Sequence, residues 1–219
     1  MTPDSSGDGT ALSLAEQAYR LLEEKLVTLE LAPGSHVSES QLIEMTGLGR
    51  TPVREAMQRL AQQELFHVMP RKGLLVTPIG LPAMQNILET RKPLERVIVY
   101  RAALHARDDQ RSALSAIARE LAIAHDSFEN FLRLDQSLDA LLDECAGNPW
   151  ASAAVAPLRS HCRRFWYYYR HRFQLSDAIA AHGQMARLVA RRDLAGAQKA
   201  SDGMIGVLER MVASVERGG

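Results

Sequence analysis

The sequence predicts a mainly α-helical protein in two parts: an N-terminal domain of helices closed by a β-hairpin, and a C-terminal all-α helical bundle. Three observations predict it. Leucine and alanine carry most of the apolar mass while aromatics make up only 5% of the 219 residues, a composition that favours helices. Apolar residues recur at helical intervals along most of the chain, broken by capping and stop signals. One stretch departs from that period, "LFHVMPRKGLLVTPI", in which two β-prone runs flank the turn residues "PRKG".

The elements follow in order. Residues 1–12 begin with the polar, acidic "MTPDSSGDGT", which lacks the apolar region of a signal peptide and is expected to be a disordered tail. Ser13 and Glu16 stand in capping-box spacing before a helix carrying Leu14, Ala18, Leu21, Leu22, Leu26 and Leu29, with Pro33 and Gly34 as its stop. Ser38 and Gln41 repeat the spacing for the short helix "ESQLIEMT", which Gly47 closes. After a short turn comes "GRTPVREAMQRL", with Pro52 in the first turn, where its missing N–H costs nothing, and Gly49 or Thr51 as cap. The hairpin follows. Two helices, a short turn, a third helix and a hairpin make the order of a winged helix-turn-helix, spanning residues 13–80.

Pattern and proline content change together between Pro78 and Pro82, which places the domain boundary there. Residues 81–219 hold only amphipathic segments, broken at "HARDD", "HDS", "GNP", near "RFQLSD" and at "ARRD", which makes about six helices.

Charge excludes some functions and localises another. Twenty-six basic residues balance twenty-six acidic ones, so nucleic-acid binding requires a local patch. That patch is present. On the third helix Arg50, Arg54 and Gln58 share one face while Val53, Met57 and Leu60 share another, so both arginines project outward at the end that enters a major groove. Arginine there grips guanine with two donors or binds phosphate. Arg71 and Lys72 sit at the hairpin tip, where a tight turn needs a residue like Gly73. Two cysteines, Cys145 and Cys162, are too few for a disulfide framework and lack metal spacing; they read as reduced thiols. No apolar run approaches the ~18 residues of a membrane span, and a cytoplasmic location is expected.

The stretch "GSHVSESQLIEMTGLGRTPVREAMQRLAQQELFHVMPRKGLLV" resembles the DNA-binding domain of GntR-family bacterial transcription regulators. The resemblance places Arg50, Arg54 and Gly73 on positions that contact operator DNA, and Thr51, Arg71 and Lys72 beside them are expected to join the contact. Two departures stand out: Gly49 replaces the usual Ser or Thr, and Glu64 replaces the glycine that usually ends the recognition helix.

The pieces "ETRKPLE", "DQSLDALLDECAGNP" and "AHGQMARLVARRDLAGAQKA" resemble, more loosely, the FCD ligand-binding domain of the FadR-like subfamily. That resemblance implies an all-α bundle, a homodimer, a small organic-acid effector, and a metal held by one Asp and three His. Asp135 falls on the aspartate, Asp139 on the first histidine, His182 on the second, and Met204 on the third. Helical geometry supports an inward site: relative to Phe131, Asp135 lies about 40° and Asp139 about 80° round the helix, flanked by leucines. A buried carboxylate is costly unless paired or metal-bound. The alternatives are a salt bridge from Asp135 to Arg91 and a hydrogen-bonded core histidine at 182. Carboxylate and imidazole suit Zn, Ni or Mn, whereas methionine does not, so binding of a divalent metal by Asp135, Asp139 and His182 is expected to be weakened or absent. Without metal the effector relies on Arg91, Asp135, Asp139 and His182. In "RSHCRRFWYYYRHRF" the period places Phe165, Trp166 and Tyr169 inward and the arginines in solvent, with His161 and His171 as stand-in ligands.

The leading reading is therefore a ligand-responsive regulator, a repressor that releases a palindromic double-stranded DNA operator when it binds a small carboxylic acid. It is not read as an enzyme, since the sequence contains no nucleophile motif, phosphate loop or complete metal motif. The rivals are a metal-dependent enzyme or a metabolite-binding protein that uses Asp135, Asp139 and His182.

Overall fold

The computed structural model describes residues 12–123 and 127–217. Residues 1–11 of the expected tail and most of the "HDS" break lie outside these residues. The chain forms two compact units, dividing between Pro78 and Ile79.

In the first unit α1 (Leu14–Val27) is capped by Ser13, whose hydroxyl accepts from the Glu16 amide. It ends well before Pro33: Leu29 adopts φ 60°, which turns the chain out of the helix. The two-residue strand β1 (His36–Val37) comes next, and α2 (Glu39–Thr46) begins from a complete capping box of Ser38 and Gln41. Gly47 closes α2 in the left-handed region at φ 67°. Gly49, not Thr51, caps α3 (Arg50–Gln62), and it supplies no side-chain hydrogen bond. Val53, Ala56 and Leu60 of α3 pack on Ala18, Leu22 and Leu26 of α1 and Leu42 of α2. Tyr19 fastens the pair, donating to Gln63 at 2.8 Å while Arg59 lies over its ring.

Helix α3 ends in a Schellman motif, with the Leu65 amide donating to Leu60 O and the Glu64 amide to Ala61 O. That motif puts Glu64 at φ 59°, a conformation that costs a side-chain-bearing residue roughly 1–2 kcal/mol. The glutamate thus keeps a backbone shape suited to glycine. The wing is β2 (Phe66–Met69) and β3 (Gly73–Val76), antiparallel, and β1 adds a third strand in the order β1-β3-β2. Gly73 has φ 84°, and a Cβ there would stand 2.7 Å from Val37 O, so the closeness of β1 and β3 leaves room only for glycine.

Among the described residues the second unit contains six α-helices: α4 (Leu81–His105), α5 (Asp108–Ile123), α6 (Phe128–Ala146), α7 (Pro149–Tyr168), α8 (Leu175–Ala190) and α9 (Leu194–Arg217). A 3₁₀ turn, Arg170–Arg172, joins α7 to α8. Ser127 and Asn148 cap α6 and α7, and Gly147 ends α6 at φ 56°. Helix α4 packs on α6, α7 and α9, while α8 packs on α5 and α9. Within the bundle Phe131, Trp166 and His182 meet with ring centroids 5.0–5.3 Å apart. Met204 is buried with Ala200, Leu208 and Met211 of α9 as core. Among the described residues no helix is long and apolar enough to cross a membrane.

Candidate nucleic-acid interface and effector core

The first site is on α2, α3 and the wing. Helical spacing brings Arg50 and Arg54 side by side on the exposed face of α3, their side chains 74% and 60% accessible. Glu39, in the first turn of α2, aligns both: its carboxylate lies 3.3 Å from Arg50 Nε and accepts from Arg54 Nε at 2.8 Å. Thr51 and Gln58 are exposed on α3, as are Arg71, Lys72 and Gly73 at the wing tip. All six residues read from the sequence therefore stand at the surface. Glu39 was missed, because an acid in a first helical turn reads simply as a dipole partner.

The second site is the polar core of the bundle, and here the structure corrects several expectations. Asp135 pairs with Arg163 rather than Arg91: Arg163 Nε donates to Asp135 Oδ2 at 2.6 Å. The terminal nitrogen Nη2 of Arg163 donates to Asp139 Oδ2. Arg159 Nε lies 3.2 Å from Asp139 Oδ1, and its Nη1 donates to Asp143 Oδ2 at 2.9 Å. Arg159 also donates to both Glu95 oxygens at 2.9 Å, and Arg91 Nε donates to Glu95 Oε1 at 2.8 Å. Arg159 and Arg163 are buried, not in solvent as the helical period suggested, because α4 and α6 turn acidic faces toward α7, and Arg164 is buried as well. Tyr169 is only half-buried, and its ring packs on Phe165.

His182 joins the cluster from α8. Its Nδ1 lies 2.7 Å from Ala178 O, and since a carbonyl only accepts, Nδ1 carries the proton. Nε2 then faces Asp135 Oδ1 at 3.1 Å, out of line for a hydrogen bond. His161 is half-buried and His171 exposed. Among the described residues no group of three or more His, Cys, Asp and Glu is placed to hold a metal ion. The donor types suit one, but the carboxylates that would bind it already hold guanidinium groups. The residues present do not fit a divalent ion.

Three guanidiniums thus face four carboxyls, and burial sorts them. Burial pushes the Asp135 carboxyl up, but the Arg163 guanidinium outweighs it and holds that group well below the usual carboxylate range. Burial dominates at Asp139, raised to about 6 in spite of Arg159 and with Asp135 adding to the rise. A raised carboxyl contributes stability that is complete below its ordinary value of 3.8 and lost as pH rises through about 6. Between about pH 4 and pH 6 the unfolding temperature of the second unit is therefore expected to fall by a few degrees from this group. Asp139→Asn should flatten that limb in thermal unfolding, and an unchanged slope would rule Asp139 out as its source.

A winged helix-turn-helix with paired outward arginines, in a chain whose second unit is all-α with an ionic core, has the form of a DNA-binding regulator. Residues 14–76 match the family described as bacterial regulatory proteins, gntR family, and residues 86–206 match the FCD domain. The chain belongs to the GntR family of transcription regulators, in the group that carries an FCD domain. It is 28% identical over 154 residues to the HTH-type transcriptional repressor RspR of Escherichia coli strain K12, 69% of this chain and 68% of that protein. It is 27% identical over 202 residues, 83% of each chain, to the fatty acid metabolism regulator protein of Edwardsiella ictaluri. The solved structure of E. coli McbR/YncC has the same fold, with a TM-score of 0.81 at 19% identity, covering 95% of this chain and all of that one.

Proposed function

We propose that the chain is a homodimeric, ligand-responsive repressor that reads a palindromic operator with α3 and the wing and releases it when a small carboxylic acid enters the second unit. The observation that carries the reading is the pair Arg50 and Arg54, exposed at the start of α3 and aligned by one carboxylate, with Arg71 and Lys72 at the wing tip. Charge is gathered where DNA would lie, so the neutral total is no obstacle. Two-fold symmetry would match a two-fold operator.

The effector reading draws on the polar core. Asp139 is the carboxyl whose charged form is least favoured there, so an incoming carboxylate would replace it on Arg159 and Arg163. Such exchange alters what ties α6 to α7, and a ligand that favours one dimer geometry shifts the population toward it. The relative named as a repressor is consistent with the direction of control. Water activation by Asp135, Asp139 and His182 gains no support, because arginines neutralise the acids.

Random-sequence selection with the full chain tests the DNA reading, and a palindromic motif is the expected yield. Affinity for it should fall steeply with salt as phosphate contacts release counterions, and small carboxylic acids should weaken it. A selection without any shared motif would refute operator recognition, and a motif indifferent to every acid would refute the effector class.

A further inference from the structure

We propose that Arg163 takes the place of a divalent cation in the second unit, so that a guanidinium bridge joins α6 to α7 and the domain folds without metal. The inference rests on the geometry of the bundle and holds whatever the effector proves to be.

Helix α6 places Asp135 and Asp139 one turn apart, and α8 brings His182 to the first of them. Two carboxylates and an imidazole are ligands for Zn, Ni or Mn. The histidine is even turned as a ligating histidine would be: Nδ1–H is fixed on the Ala178 carbonyl, which leaves Nε2 directed at the carboxylates. What stands among these groups is Arg163, with Nε on Asp135 Oδ2 and Nη2 on Asp139 Oδ2. Of the remaining oxygens, Asp139 Oδ1 faces Arg159 and Asp135 Oδ1 faces His182. Three of the four carboxylate oxygens therefore face guanidiniums, and the fourth, Asp135 Oδ1, faces the imidazole. The planar fork of Arg163 reaches both acids at once, which the point charge of a lysine could not do.

A guanidinium and a metal ion cannot occupy the same position between these carboxylates. With Arg163 in place an ion finds neither carboxylate free of a guanidinium. With the side chain removed, Asp135, Asp139 and His182 are left bordering the space it filled, and an ion would draw them together to bind.

The test uses the full chain, first treated with chelator. Elemental analysis of the wild-type protein is expected to find no stoichiometric transition metal, and ZnCl2, NiCl2 or MnCl2 should leave its unfolding temperature unmoved. Arg163→Ala should unfold at lower temperature and recover several degrees with at least one of these salts, because a metal that binds only the folded form stabilises it. Asp135→Asn added to Arg163→Ala should abolish that recovery. One metal per wild-type chain, or a metal-dependent rise in its unfolding temperature, overturns the proposal. So does an Arg163→Ala protein that folds and ignores all three salts. If that variant fails to fold, the wild-type measurements decide the matter alone.

Discussion

Glu95→Ala is expected to lower the unfolding temperature of the second unit by roughly 10 °C, the largest single-residue effect on stability in this chain. The carboxylate is fully buried and accepts from Arg159 through both oxygens and from Arg91 through one. Removing it leaves two buried guanidiniums facing each other with one partner fewer, and breaking a buried pair in this way costs about 3–5 kcal/mol. Arg96→Ala is the control. Its pair with Asp202 is partly solvated, the side chains 52% and 27% accessible, and losing it should lower the transition far less. Burial raises the Glu95 carboxyl, but Arg159 and Arg91 outweigh it and hold the group at about 2. A depressed carboxyl contributes stability that is present above its ordinary value of 4.5 and lost as pH falls through about 2. Acid unfolding of the second unit should therefore be steep in the wild type and shallower in Glu95→Ala. Calorimetry across that range checks both points, and a drop no larger than the Arg96→Ala control would show that the cluster relaxes without Glu95.

Arg54→Ala is expected to weaken binding to the selected operator by about 10- to 100-fold while leaving unfolding of the first unit unchanged. The side chain packs against nothing in the core, since the opposite face of α3 carries Val53, Ala56 and Leu60. Its only ion-pair partner among the described residues is Glu39, which must yield it to a base or phosphate on docking. The two roles of an arginine can be told apart. If Arg54 reads a base, the loss will be greatest on the selected sequence and small on scrambled DNA. If it binds phosphate, both will weaken alike and the salt slope will drop by about one. An unaltered affinity, measured by fluorescence anisotropy, would remove Arg54 from the interface.

The helices of this protein were legible because their signals are local. Ser38, Gln41 and Gly47 specify α2 by hydrogen bonds spanning a few residues, and Gly73 marks the wing turn by its own φ. The outward pair Arg50 and Arg54 follows from 3.6-residue periodicity alone. Strand β1 was not legible, because two residues carry no period and form a strand only by lying against Leu74 and Leu75. The end of α1 was misplaced because proline and glycine signal a turn, whereas Leu29 made one by taking a left-handed conformation.

The polar core divides along the same line. The sequence by itself determined that Asp135, Asp139 and His182 face inward, since that depends only on each helix's own period. Only the tertiary structure decided what they meet. Arg159 and Arg163 recur at four-residue spacing like any solvated helix charges, and nothing local distinguishes them from arginines in water. They are buried because α4 offers Glu95 and α6 offers Asp135, Asp139 and Asp143 across the bundle, partners up to 64 residues away in the chain. Whether a charge is solvated or neutralised is a property of its neighbours in space, and in this bundle those neighbours come from other helices.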